Sequence, residues 1–216
     1  MNLDIQPVTA DRWDDVLKLF GPNGAYSNCW CTWWILTGKA FTEAEPNDRR
    51  ALLQGLIRDG EEPGLLAYRD GAPVGWCAVG PRRRFARMMS ARSPVYGPVD
   101  ETDESDENWV INCFYLPRAE RGQGIATILL DAAVDYAFAQ GAASIDGYPL
   151  TDSTHGASSL FVGTLAMFEL AGFTEIRRVR DRPLMRRLLD GSTPAPVASR
   201  PASPRSSKRS SSPPGG

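Results

Sequence analysis

The chain has a single histidine, His155, and only four cysteines, and both scarcities exclude something. Cys29 and Cys31 form a C-x-C while Cys77 and Cys113 stand alone, so the spacing does not make a structural zinc site. A chain of 216 residues with so few cysteines does not depend on a disulfide framework, and buried reduced thiols are expected. No stretch approaches membrane-spanning length, and the N-terminal MNLDIQPVTADRWDD has neither a basic start nor a long apolar run. Cytoplasmic residence without a membrane partner is the expectation. Charge of either sign is also not in excess: 24 Lys+Arg stand against 26 Asp+Glu, which argues against whole-surface attraction to nucleic acid. From Gly191 to Gly216 there is almost nothing to bury, only Ser, Pro, Ala, Gly and basic residues, so 190–216 is expected to be a disordered tail. What remains, residues 1–189 of a chain 42% hydrophobic, suffices for one domain with a substantial core.

Alternating Leu3, Ile5 and Val8 suggest a first strand. Thr9 or Asp11 can cap a helix through Phe20 that buries Trp13, Val16, Leu17 and Phe20, and Asn47 or Asp48 opens a second helix with Leu52, Leu53, Leu56 and Ile57 inward. Between them, Asn28 to Leu36 is dense in aromatic residues and cysteine. Residues 65–68 and 74–79 flank Asp70-Gly71, a strong hairpin signal. Residues 81–107 begin with basic Arg82, Arg83, Arg84 and Arg87 and end in an acidic run, 100–107, a pattern expected of a solvated loop. Further on, residues 143–148 read as a strand, 151–159 as a polar loop carrying His155, 160–171 as a helix stopped by Gly172, and 173–179 with 184–189 as a final hairpin around Asp181-Arg182-Pro183.

Residues 109–138 organise the rest. Residues 109–116 are aromatic and β-branched enough to be a buried strand, and from Ile125 onward Leu129, Ala132, Ala133 and Tyr136 recur at helical spacing. Between them lies Arg121-Gly122-Gln123-Gly124-Ile125-Ala126. Glycines there remove the Cβ atoms that would block a ligand, and unpaired helix N–H groups point out with the positive end of the dipole behind them, a seat for a phosphate or pyrophosphate. The rival readings are a tight turn with no ligand and a dinucleotide fold. For the latter, Asp146 lies about 20 residues on, where a ribose-binding acid would be, but Thr127 occupies the third glycine position of G-x-G-x-x-G.

Arg121 to Ala126 resembles the R/Q-x-x-G-x-G/A pyrophosphate loop of the GNAT superfamily of acyl-CoA N-acyltransferases, and Ala166 to Phe173 is similar to the family's later A-x-Y-E-x-x-G-F helix end. The resemblance implies an α/β fold: a single GNAT-like domain with a mixed, mostly antiparallel sheet of six or seven strands and helices on both faces. It implies an acetyl-CoA-dependent N-acetyltransferase with acetyl-CoA as cosubstrate and no metal. Backbone groups of Gln123, Gly124, Ile125, Ala126 and Thr127 would bind the pyrophosphate, with Gly122 in the loop and Arg121 adding charge. Phe114 and Leu116 would hold pantetheine, and the Leu116 N–H would stabilise the thioester oxyanion.

The resemblance also implies direct attack by a neutral amine, with a base to take its proton and an acid for the leaving sulfur. Here the chain departs, because Phe168 stands where many members carry the tyrosine acid and Phe161 stands near a frequent asparagine. Tyr148 is the first candidate for the acid, and Glu107, beside the central strand, is the acidic residue best able to reach the chemistry. His155 as a base and Cys113 as an acyl-carrying nucleophile are weaker candidates, and strand alternation puts either Asn112 or Cys113 toward the cleft. Trp30, Trp33 or Trp34 either fill the core or wall the acceptor pocket, Tyr148 is a further substrate-facing candidate, and both roles can hold for different tryptophans. The acidic run leans toward a small cationic amine as acceptor. A homodimer is compatible with this reading. The alternative from another class is a non-catalytic acyl-CoA-binding sensor or partner module of the same fold.

Overall fold

The computed structural model describes residues 2–90, 93, 95–98, 105–151, 160–190 and 192. The acidic positions 100–104, His155 and nearly all of the 190–216 tail lie outside the described residues, and so do the expectations placed on them.

Seven strands form one sheet: β1 (Asp4–Pro7), β2 (Gly64–Arg69), β3 (Ala72–Pro81), β4 (Asn108–Tyr115), β5 (Ser144–Gly147), β6 (Thr174–Val179) and β7 (Arg182–Leu188), in the order β1-β2-β3-β4-β5-β7-β6. Among the strands of the described residues, only β4 and β5 pair in parallel. Asp70 (φ 51°) and Gly71 (φ 77°) supply the two left-handed residues of the β2–β3 turn, as their sequence predicts. The last hairpin turns one step earlier than expected, at Arg180 (φ 57°), and takes Pro183 into β7 opposite Arg178. β5 pairs with β7 only from Met185 onward, so the proline's missing donor interrupts no ladder bond on that side.

Among the described residues, α-helices cover both faces. α4 (Ile125–Ala139) and α5 (Leu165–Leu170) enclose a core with Val79, Trp109, Ile111 and Phe114. α1 (Trp13–Phe20) and α3 (Pro46–Arg58) pack on the other face around Leu66, Trp76 and Ala78. In α1 the fully buried positions are Val16, Leu19 and Phe20, with Leu17 only partly covered. α2 (Gly38–Glu43) was not expected, because its cap, Thr37 accepting from the Ala40 amide at 3.3 Å, follows an aromatic stretch with no helical periodicity. The helix expected over 160–171 is broken. Gly163 adopts φ 83°, a 3-10 turn (Leu160–Val162) precedes it, and Thr164 starts α5 by accepting from the Met167 amide.

The basic run is not a uniformly solvated loop, which corrects the charge-pattern expectation. Arg83 is exposed and pairs with Asp106, and Arg84 pairs with Glu61, but Arg82 is fully buried. Its Nη1 meets Asp146 Oδ2 at 3.3 Å, while Arg186 grips both oxygens of the same carboxylate at 2.7 and 2.9 Å. From this anchor Arg82 Nη2 donates to the Tyr96 carbonyl at 2.7 Å, and Arg177 Nη2 donates to the Val95 carbonyl at 2.9 Å, which fixes the segment carrying Tyr96. Asp146 is therefore an internal counter-ion with no exposure, and the dinucleotide reading loses its ribose ligand. Removing one partner of a buried ion pair strands the others at a cost of about 3–5 kcal/mol. Asp146→Ala is accordingly expected to lower the unfolding free energy in urea by about that amount, and a loss under about 1 kcal/mol would contradict the anchoring role.

Candidate active site

The β4–β5 ladder runs from Asn108 opposite Ser144 to Ile111 opposite Gly147 and stops. The chain after β5 turns to a different neighbour: the Leu150 amide donates to the Gly163 carbonyl at 3.1 Å, and the Leu165 amide to the Leu150 carbonyl at 2.8 Å. Among the described residues, the end of β4 is thus left without a strand on that side. A cleft of about 700 Å³ opens there, with Cys113, Phe114, Tyr115 and Leu116 on one wall and Phe161, Gly163, Thr164 and Met167 on the other. A bulge in β4, where Cys113 faces Ala78 and Ile111 faces Val79, makes Asn112 the extra residue. It settles the choice between neighbours: Cys113 lines the cleft, while Asn112 is 2% exposed with neither amide atom partnered among the described residues.

At one end of the cleft lies the start of α4. Gly122 (φ 74°) and Gly124 (φ 77°) hold a backbone that most side chains would strain, and a Cβ at either would meet nothing within 4 Å. Thr127 and Ile128 amides donate to the Gly124 carbonyl at 3.1 and 3.2 Å, but the amides of residues 122–126 reach no acceptor among the described residues. Gly124 brings no capping side chain, whereas α2, α3 and α5 are capped by Thr37, by the Glu45–Asp48 box and by Thr164. No acidic residue occupies the first turn of α4. Arg121 lines the cleft and its Nε donates to the Leu116 carbonyl at 3.0 Å, fastening the loop to the strand end. Gln123 turns its side chain away, donating to the Ala119 carbonyl at 2.8 Å and accepting from Arg69 at 3.1 Å.

The facing wall comes from the segment between α1 and α2. Ala25, Ser27, Asn28, Trp30 and Cys31 all have positive φ, a left-handed conformation that costs roughly 1–2 kcal/mol each for residues with a Cβ. Packing holds it. Trp30, 5% exposed, lies against Phe20 and Trp13 and covers Gly24, while Arg49 donates to the carbonyls of Asn28, Phe41 and Ala44. Trp30 is thus a core pin outside the cleft. Trp33 and Trp34 do line it: Trp33 sits between Phe41 (centroids 4.8 Å) and the Arg87 guanidinium (3.8 Å), and Trp34 meets Tyr96 edge-on at 4.8 Å. Tyr96 and Arg182 complete this half. Neither was singled out from the sequence, since Tyr96 depends on the distant Arg82 anchor and Arg182 reads as a turn residue.

Two expected residues do not come to the cleft. Tyr148 is 1% exposed, packs edge-on against Tyr96 at 5.3 Å, and has its hydroxyl pushed up to about 12 by burial. Glu107 is exposed before the first residue of β4, the opposite end from the cleft, where its carbonyl accepts from the Ala143 amide at 2.8 Å. Phe168 is buried against Phe173 and Gly147, and Met167 lines the cleft from α5 instead. Cys31 and Cys113 bring their sulfurs to 3.5 Å. The Cys31 thiol is raised well above its ordinary range by that contact and by burial, and burial pushes Cys29 up to about 11.

The profile of the acetyltransferase (GNAT) family matches residues 30–181. No curated protein matches the chain in sequence. Among solved structures it is similar to a putative acetyltransferase from Salmonella typhimurium with its cofactor acetyl-CoA, at 16% identity and a TM-score of 0.51, covering 91% of this chain and 98% of that one. A second structure described as an acetyltransferase aligns at 16% identity and a TM-score of 0.51 over 86% and 99% of the two chains. A PaiA N-acetyltransferase from Thermoplasma acidophilum in complex with coenzyme A aligns at 12% identity, 87% and 99% coverage and a TM-score of 0.49. With the family profile spanning residues 30–181, well over half of the chain, the chain belongs to the acetyltransferase (GNAT) family.

Proposed function

We propose that the protein is an N-acetyltransferase that moves the acetyl group of acetyl-CoA directly onto an amine. The observation that carries this reading is the uncapped cradle of amides at residues 122–126, opening onto the gap where β4 loses its neighbour. A diphosphate would accept from those amides and gain the α4 dipole, with Arg121 adding a guanidinium. The pantetheine arm would lie along the free edge at Phe114 and Leu116 as an added strand, and the Leu116 N–H would meet the thioester oxygen as charge develops on it.

The bound thioester supplies an activated carbonyl; the N–C bond forms, the C–S bond breaks, and the amine sheds its proton. Phe168 cannot donate a proton to the leaving sulfur. With an ordinary thiol pKa of about 8.5, coenzyme A can depart as thiolate without a dedicated acid. Cys29, held protonated by burial, and Cys31, held so by its contact with the Cys113 thiol and by burial, are poor acyl carriers, and the nearest polar partner of Cys113 is another thiol rather than a base. A second reading, binding without turnover, draws on the absence of a carboxylate or histidine among the described lining residues.

Acetyl-CoA is expected to raise the Tm and to release free thiol only when an acceptor amine is present. Stabilisation with no thiol release across a broad amine panel would favour the binding module. Gly124→Ala places a Cβ in the cradle at a left-handed position, so acetyl-CoA affinity should fall about tenfold or more while far-UV circular dichroism stays unchanged; undiminished affinity would remove the cradle from the site. Direct attack further requires that intact-protein mass show no acetyl adduct after incubation with acetyl-CoA alone at pH 7, well below the Cys29 thiol at about 11.

A further inference from the structure

We infer that the acceptor half of the cleft selects a monoamine built on an aromatic or bulky apolar body and bearing a carboxylate, which Arg182 receives. The inference rests on the transferase reading above and names the substrate class for that site.

The end of β4 and the start of α4 account for the donor half. What is left is walled by Tyr26, Trp33, Trp34, Phe41, Tyr96 and Phe161. Flat rings at several angles bury an apolar body well and give a hydrated, flexible polyamine little to hold. Among the described residues that line the cleft, the charged ones are Arg121 and Arg182, both cationic. Arg121 is fastened to Leu116 at the donor end, so Arg182 is the cation that an acceptor meets.

Sign and solvation decide between acceptor classes. Repulsion between like charges grows about fourfold from bulk water to an effective protein dielectric of about 20, so a second ammonium beside Arg182 is disfavoured. Aromatic rings attract cations, but a face of Trp33 already carries the Arg87 guanidinium at 3.8 Å. A carboxylate, by contrast, matches the guanidinium fork of Arg182, for which no ion-pair partner occurs among the described residues. Trp34, 2% exposed, adds an indole N–H without an acceptor among those residues. Among the described residues no acidic side chain that would draw in a polycation lines this wall. Of the acidic run, the described members Asp106 and Glu107 sit at the opposite end of β4, Asp106 already paired with Arg83.

The same wall bears on catalysis. An amine attacks only when neutral, and apolar burial beside a cation lowers an ammonium pKa. A single ammonium entering the cleft is thus pushed toward its reactive form without a side-chain base, whereas a polyamine brings further charges that must be desolvated.

The test compares phenylalanine, phenethylamine and spermidine as acceptors with the full chain, reading thiol release and product mass. Phenylalanine should exceed phenethylamine in kcat/KM by about tenfold or more, with spermidine slowest. Arg182→Ala should collapse the phenylalanine-to-phenethylamine ratio by about 10- to 100-fold, with Arg182→Lys recovering part of it, since the loss concerns a charge-assisted bond and not the apolar contacts. Preference for spermidine, an unchanged ratio in Arg182→Ala, or no turnover of either aromatic amine by protein that acetyl-CoA stabilises would overturn the acceptor assignment alone. Failure of acetyl-CoA to stabilise the wild-type chain would instead remove the transferase reading beneath it.

Discussion

Four residue pairs, Asn108 with Ser144 through Ile111 with Gly147, hold β4 and β5 side by side, and the end of that ladder is the constraint from which the site follows. A parallel pair cannot close with a tight turn, so a helical crossover must join its strands, and α4 is that crossover. Its first turn consequently stands beside the end of β4, where the ladder has already given out. The loop amides and the strand edge, neither of which finds a backbone partner among the described residues, are two parts of one opening. Both arise from backbone geometry, with glycine at Gly122 and Gly124 and the bulge at Asn112 as the local conditions.

The opposite wall is made differently. Ala25, Ser27, Asn28, Trp30 and Cys31 are held in left-handed conformations by Trp30 wedged against Phe20 and by Arg49 reaching three carbonyls. Tyr96 is presented by a segment whose carbonyls are fixed by Arg82 and Arg177, and Arg82 is in turn bound to Asp146 in the middle of the sheet. The aromatic wall thus depends on a charged core rather than on regular secondary structure.

This difference explains what could be read from the sequence. The hairpin at Asp70-Gly71, the central strand and α4 are local: turn chemistry, β-branched content and helical spacing are written in consecutive residues, and the structure follows them. The loop at 121–126 was legible for the same reason, as its glycines carry their own backbone demand. Trp30 and Trp33 were indistinguishable in sequence, because which of two tryptophans enters a core depends on a left-handed turn that non-glycine residues do not announce. Arg82 looked like a surface charge, since its partner Asp146 lies far along the chain. Tyr148 and Glu107 were proposed from position alone, and strand length and side-chain direction carry them elsewhere.

One wall of hydrogen-bonding main chain and one wall of side chains on an irregular scaffold have unequal tolerance to change. The first keeps its shape through most replacements that spare its glycines, so a coenzyme held there as proposed would be gripped robustly. The second can be reshaped one ring at a time, at Tyr26 or Trp33, neither of which lies in a strand or a helix. On the proposed reading, retargeting the catalyst to a new recipient molecule would therefore be a matter of editing a handful of neighbouring codons, with the donor left undisturbed.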